Sequence, residues 1–161
     1  MASYSLEALI GAIDASDRME ARPIWATFFD LRRFGGLQMF FRAILSNGSF
    51  VLSSPGASLA DFLVRLAAHK VSHLHGTPSH WRRVLLTPLA RQITPSYVRL
   101  SGEIADQAIL DSLHAFYPEA TIVHAYATTE AGVIFEVADR LEGFPVEFLD
   151  QSGGVELKVV D

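Results

Sequence analysis

The feature that most constrains this chain is a regular alternation of two hydrophobic periods. Short apolar runs rich in β-branched or aromatic residues lie at 24–29, 49–52, 71–75, 97–100 and 121–125. Each has the length and composition of a strand. Between them lie stretches of about ten residues with helical spacing. The first, 36–45, sets Leu37, Phe40, Phe41, Ile44 and Leu45 on one stripe, and Asn47-Gly48 ends it in a left-handed turn. The second opens at Ser58, an N-cap with Asp61 three residues on, and presents Leu59, Phe62, Leu63, Leu66 and Ala67. A third, 78–86, tolerates Pro78 in its first turn, and a fourth, 105–116, stops before Pro118. The order β-α-β-α-β-α-β-α-β, with near-continuous apolar strands, predicts an α/β fold: a mostly parallel sheet flanked by helices. Beyond residue 131 the pattern changes. Runs at 133–137, 145–149 and 155–160 read as strands joined by Gly-rich turns, a short antiparallel extension. We expect one α/β subdomain over 1–161: a lead-in at 1–21, the alternating core at 22–131 and the β extension at 132–161.

Composition narrows the function. Half of the 161 residues are hydrophobic and 19% are charged, too apolar for a disordered segment. A net charge of −5, with no basic run longer than Arg32-Arg33 or Arg82-Arg83, argues against a nucleic-acid partner. Cysteine is absent, which removes disulfides, thiolate metal sites and a Cys nucleophile. No window approaches the 18 or so consecutive apolar residues of a membrane span. The first residues lack the charged start of a signal peptide, so a cytoplasmic setting is expected.

Ligands of open α/β sheets bind at the carboxyl ends of the strands. Two such loops stand out: Leu100-Ser101-Gly102-Glu103 and His124-Ala125-Tyr126-Ala127-Thr128-Thr129-Glu130. Small residues let a ligand approach the backbone, Tyr126 offers a flat ring, the two threonines offer hydroxyls for phosphate, and Glu130 offers a carboxylate for Mg²⁺. The plainer reading of Thr128, Thr129 and Glu130 is a helix cap and first turn. Six histidines invite a metal reading, with His73 and His75 on one strand face, yet no HExxH framework accompanies them. His75 is expected to line a pocket at a strand end, and His73 to be partly exposed or hydrogen-bonded in the core. No GxSxG elbow, Walker A loop or GxGxxG turn is present.

These loops carry a resemblance. The segment from His124 to Glu130 is similar to the Tyr-(Gly/Ala)-x-Thr-Glu motif of the adenylate-forming superfamily: acyl- and aryl-CoA synthetases, adenylation domains and luciferase. Leu100 to Ile104 resembles the Gly-Glu-Pro-like loop of that family, one helix and one strand earlier. Phe28-Phe29-Asp30 through Gly48, Val71 through Pro78, and Gly154 through Asp161 resemble further family segments. The resemblance implies an internal, flavodoxin-like subdomain of the family's large domain. It implies that Gly102, Glu103 and Ile104 line adenine, that Tyr126 borders it with Ala127 and Thr128 beside it, that Thr129 bonds the α-phosphate, and that Glu130 binds Mg²⁺. Thr129 and Glu130 would be the catalytic pair. Phe34, His75 and Gly76 would face the acyl group.

The implied ligands are ATP or AMP with Mg²⁺ and a carboxylic acid, with CoA as a further substrate, as in an AMP-forming carboxylate–CoA ligase. The sequence departs from the family's pattern too. No Gly/Ser/Thr-rich phosphate loop precedes the matched segments, Ile104 stands where the family has Pro, and the Asp, Arg and Lys segments that follow in the family are not in this sequence. The chain is therefore expected to be inactive alone. Other readings are one chain of a split ligase, with a protein partner supplying the missing subdomains, or a non-catalytic α/β interaction or assembly module.

Overall fold

The computed structural model describes residues 10, 13, 22–54, 56–129 and 132–149. Six strands form one sheet in the order β2-β1-β3-β4-β5-β6. They are β1 (Ile24–Thr27), β2 (Ser49–Val51), β3 (His73–Gly76), β4 (Tyr97–Ser101), β5 (Thr121–Thr128) and β6 (Gly132–Val137). The first five are mutually parallel, and β6 pairs antiparallel with β5 through a bulge at Tyr126/Ala127. The helices are α1 (Phe34–Leu45), α2 (Leu59–Ala68), α3 (Pro78–Leu85) and α4 (Gln107–Phe116). The predicted class, a mostly parallel sheet flanked by helices with an antiparallel pair at its end, is what the structure shows.

Local chemistry sets most of the boundaries. Ser58 and Asp61 form the reciprocal capping box of α2, and Thr77 and His80 form that of α3. Asp106 caps α4 by accepting from the Ile109 N–H. Asn47, with φ 54°, takes the left-handed position after α1. The run 71–75 enters the sheet only at His73. Lys70 turns left-handed at φ 51°, and the Val71 N–H goes back to the Leu66 carbonyl at 3.0 Å, so Val71 still belongs to the end of α2.

Right-handed crossovers put the helices on two faces. The chain passes from β1 to β2 in one direction and from β2 onward in the other, so α1 lies on one face while α2, α3 and α4 lie on the opposite one. The larger face is apolar. Ala26, Val51, Leu74, Val98, Leu100 and Ile122 meet Phe62, Leu63 and Leu66 of α2, Trp81 and Val84 of α3, and Ile109, Leu110 and Leu113 of α4.

The α1 face differs. Its strand residues include Thr27, His75, Arg99 and Ser101, all buried. The predicted apolar stripe of α1 is corrected here. The helix buries Gly36, Gln38, Met39, Arg42 and Ala43, while Ile44 and Leu45 are exposed. A polar sheet face selects the helix side that brings Gln38 and Arg42 to it. Among the described residues only Trp25, Met39 and Ala43, with Phe50 and Tyr97, form an apolar cluster there.

Two further corrections concern the chain after β5. The run 145–149 is not a strand. It is a 3-10 turn at Val146–Leu149, closed by the Phe148 N–H donating to the Pro145 carbonyl at 3.0 Å. Thr128 and Thr129 do not cap a helix, since Thr128 ends β5 and Thr129 lies in the turn before β6. The lead-in at 1–21 (apart from Ile10 and Ile13), Glu130, and the predicted strand at 155–160 lie outside the described residues.

Candidate functional site

A cleft of about 450 Å³ opens at the carboxyl ends of β4 and β5. Its floor comes from the two loops singled out in the sequence: Gly102, Glu103, Ile104 and Ala105 on one side, His124 to Ala127 on the other. Register explains the meeting, because Leu100 pairs with His124 and Ser101 with Ala125. The two chains therefore leave the sheet side by side. Gly102 adopts φ 82°, a left-handed turn in which a side chain would be strained.

The third wall was not foreseen. Gly143 and Phe144 close the cleft from the segment after β6. Phe144 lies with its ring centroid 4.8 Å from that of His124 and 6.4 Å from that of Tyr126. Tyr126 also lies 5.5 Å from Phe135 on β6. The result is an aromatic wall opposite a small-residue floor, with Ile104 exposed at the mouth. Nothing local marks this wall in the sequence, because Phe144 meets His124 and Tyr126 across 20 and 18 residues.

Glu103 lines the cleft, and its carboxylate reaches the start of α3 and accepts the Ser79 N–H at 2.9 Å. Burial pushes this carboxyl up, and hydrogen bonds from Ser79 and Thr77 with the nearby His80 together more than offset it, so it sits below the ordinary range. His124 donates through Nε2 to the Leu141 carbonyl at 2.9 Å. Desolvation holds its imidazole below its ordinary value, so the ring is a neutral member of the wall at pH 7. Thr128 ends β5 and Thr129 stands exposed in the turn that follows.

The residues expected to face an acyl group do not sit together. His75 and Gly76 are neighbours on β3 and so point to opposite faces. At Gly76 a Cβ would stand 2.7 Å from the Phe28 ring, on the side of α2 and α3. His75 is buried beneath α1 instead of lining a strand-end pocket, with 1% of its surface exposed. Phe34 is the first residue of α1.

Around His75 lies a polar cluster. Arg99, itself 1% exposed, places Nε and Nη2 at 3.1 and 3.0 Å from Oε2 of Glu136 on β6. Arg42 approaches the same oxygen at 3.9 Å. His75 Nε2 lies 2.8 Å from the Ser101 hydroxyl and 3.4 Å from Arg99 Nη1. A guanidinium can only donate, so Nε2 accepts and the proton sits on Nδ1. Among the described residues that Nδ1 has no hydrogen-bond partner, nor has Gln38 Nε2. Desolvation, then the Arg99 and Arg42 charges, hold the imidazole neutral. Among the described residues no group of three His, Asp or Glu is arranged to hold a metal ion. None of the helices there is long and apolar enough to cross a membrane.

Comparison with known proteins gives the family and the fold. The model of one protein family, described as AMP-binding enzyme, matches residues 3–161. No curated protein sequence matches the chain. Among solved structures, an anthranilate CoA ligase in complex with anthranoyl-AMP superposes with a TM-score of 0.69 at 14% identity, covering 82% of this chain and 27% of that one. The N-terminal subdomain of Klebsiella oxytoca NpsA, in complex with 3-hydroxybenzoyl-AMSN, gives 0.66 at 14% identity over 83% and 34%. The luciferase-like enzyme of the nonluminescent mealworm Zophobas morio gives 0.65 at 16% identity over 84% and 32%. The chain thus spans about a third of the length of these structures, and the likeness is one of fold.

Proposed function

This chain belongs to the AMP-binding enzyme family, and from that premise we propose that its β4–β5 cleft holds the adenine nucleotide of a carboxylate-adenylation reaction. The observation that carries the reading is the cleft itself. The two family-like loops, distant in sequence, converge at strand ends on a flat, aromatic-walled slot. A purine fits such a slot on simple grounds: it is planar and apolar on its faces, and its polar edges can reach backbone groups of Gly102 to Ala105.

In this reading Tyr126 borders the base, with Ala127 and Thr128 leading away from it. Thr129, exposed in the turn after β5, donates its hydroxyl to an α-phosphate oxygen. Adenylation places charge on those oxygens as the carboxylate attacks phosphorus, and a fixed donor there stabilises the transition state more than the ground state. Mg²⁺, when bound, neutralises phosphate charge and polarises the phosphoryl group. Glu130 is our candidate ligand for it, on the resemblance alone. On the resemblance alone Phe34 is our candidate for the acyl side, since His75 is sealed under α1 and Gly76 faces the opposite side of the sheet, and CoA is our candidate for a second acceptor. An ATP-dependent reaction of this kind suits a cytoplasmic setting.

The 161-residue chain is expected to bind AMP without turning over, since the reading assigns it no phosphate loop and no catalytic lysine. Activity would need those parts as well, whichever chain carries them. Calorimetric titration of AMP into the purified chain tests the reading. Saturable binding is expected, weakened roughly tenfold by Tyr126→Ala through loss of base stacking. Absence of heat at millimolar AMP would show the non-catalytic module to be the better description.

A further inference from the structure

We infer that Gln107, which lines no part of the cleft, is the positioning residue that sets its third wall, and so controls nucleotide affinity. The inference rests on the nucleotide reading of the cleft. Gly143 and Phe144 belong to a loop that leaves β6 and crosses in front of His124. Two of its residues turn through left-handed backbone, Arg140 at φ 68° and Gly143 at φ 79°. Arg140 is not glycine, so this bend is disfavoured unless its surroundings over-determine it.

Gln107, the first residue of α4, supplies that determination. Its Nε2 donates to the Arg140 carbonyl at 2.8 Å, and its Oε1 accepts the Glu142 N–H at 3.1 Å. Its own backbone N–H donates to the Glu142 carboxylate at 2.9 Å. The side-chain amide thus pairs with a carbonyl and an N–H two residues apart, as a neighbouring strand would. Only an amide carries both a donor and an acceptor in that geometry. Asp111 holds the amide from behind, accepting from Nε2 at 2.9 Å. Between the clasped residues, the Leu141 carbonyl takes the His124 Nε2 proton and the Leu141 N–H goes to Asp139 Oδ1 at 3.0 Å.

The clasp therefore pins the middle of the loop to α4, and the residues that follow bring Phe144 against His124 and Tyr126. Because α4 also follows directly from the Gly102–Ala105 floor, Gln107 ties two walls of the cleft to one rigid helix. A nucleotide entering a slot already held at its binding width loses less entropy than one that must order the wall.

The test compares the wild-type chain with Gln107→Met, which keeps the volume and removes both amide bonds. AMP affinity is read by calorimetry well below the melting temperature, and amide exchange is read at Leu141 and Glu142. Gln107→Met is expected to weaken AMP by roughly five- to twenty-fold and to speed exchange of those two amides, while the rest of the sheet exchanges as before. Gln107→Glu, which keeps only the acceptor, is expected to weaken AMP as well. Ser112→Ala, on the outer side of α4, is expected to bind as wild type does. Should Gln107→Met fail to fold, Glu142→Gln probes the loop side of the clasp, with a few-fold loss expected from the weaker acceptor. Faster loop exchange with unchanged AMP affinity would make Gln107 a merely structural residue and overturn the inference. Unchanged affinity and exchange would overturn it too. A wild-type chain that binds no AMP would remove the nucleotide reading and this inference with it.

Discussion

Gly35 and Gly36 stand side by side in the first turn of α1 and should respond in opposite ways to alanine. A Cβ on Gly35 would meet nothing closer than the Phe29 ring at 3.7 Å. Helix propensity then decides, and Gly35→Ala should stabilise by about 0.5–1 kcal/mol in a urea titration. A Cβ on Gly36 would stand 2.4 Å from the Asp30 carbonyl oxygen and 2.9 Å from the Leu31 Cα, both backbone. Relieving that clash must move the loop, so Gly36→Ala should destabilise by about 1–3 kcal/mol despite the better helix former.

Two histidines on the α1 face make stability depend on acid. Burial holds His73 down at about 4, and burial with the Arg99 and Arg42 charges holds His75 well below its ordinary 6.5. Their folded values lie below the unfolded one, so the unfolded chain takes up protons first. The stability they contribute is complete above about pH 6.5 and is lost as pH falls toward 4. For His73 alone the loss is on the order of 3 kcal/mol. Urea midpoints should therefore drop between pH 7 and pH 4.5, and His73→Gln should flatten part of that slope. A wild-type midpoint that does not move would contradict the buried, neutral assignment. Alternating strand letters such as His-Leu-His-Gly and Tyr-Val-Arg-Leu-Ser show that these side chains share a face. What they do not show is which helix covers it, and that decides whether a histidine lines a pocket or is sealed.

At the scale of elements, the helix ends were the most legible part of the fold, because capping acts over three or four residues. Ser58 with Asp61 is the clearest case, its box lying wholly within the letters. The apolar stripe of α1 misled for the complementary reason. Which side of a helix is buried depends on what it packs against, and here the partner surface carries Arg99 and Glu136. The run 145–149 misled because a short apolar segment suits a strand or a docked turn. Phe148 against Phe135, with centroids 5.4 Å apart, makes it the latter.

The Arg99–Glu136 pair also fastens β6 to the parallel part of the sheet. Removing the carboxylate leaves a buried guanidinium without its strongest partner. Glu136→Ala should cost about 2–3 kcal/mol, discounted for the one-third exposure of the Glu136 side chain. The double variant Arg99→Met, Glu136→Leu should recover much of that loss, because a missing charge pair costs less than half of one. A double variant as unstable as Glu136→Ala would show that the damage lies elsewhere.

For the whole molecule, the sheet order places two clefts in competition. Open α/β sheets bind ligands where the chain reverses direction, and that point lies between β1 and β3. A smaller cavity of about 220 Å³ sits beside it, lined by Thr27, Phe28, His80 and Arg83 among others. The nucleotide reading instead favours the cleft at β4 and β5, two strands away. Strand order was not legible in the letters, since alternation fixes the elements but not their neighbours. The two floor loops were legible because their small and hydroxyl residues are local, while the Phe144 wall and its Gln107 clasp were not.

Amide chemical-shift mapping during an AMP titration separates the two clefts most directly. The account expects saturable shifts at Gly102 to Ala105, at His124 to Thr129 and at Gly143 and Phe144. Shifts confined to Thr27 to Phe29 and Ser53 to Ser54, or none at all, would contradict it.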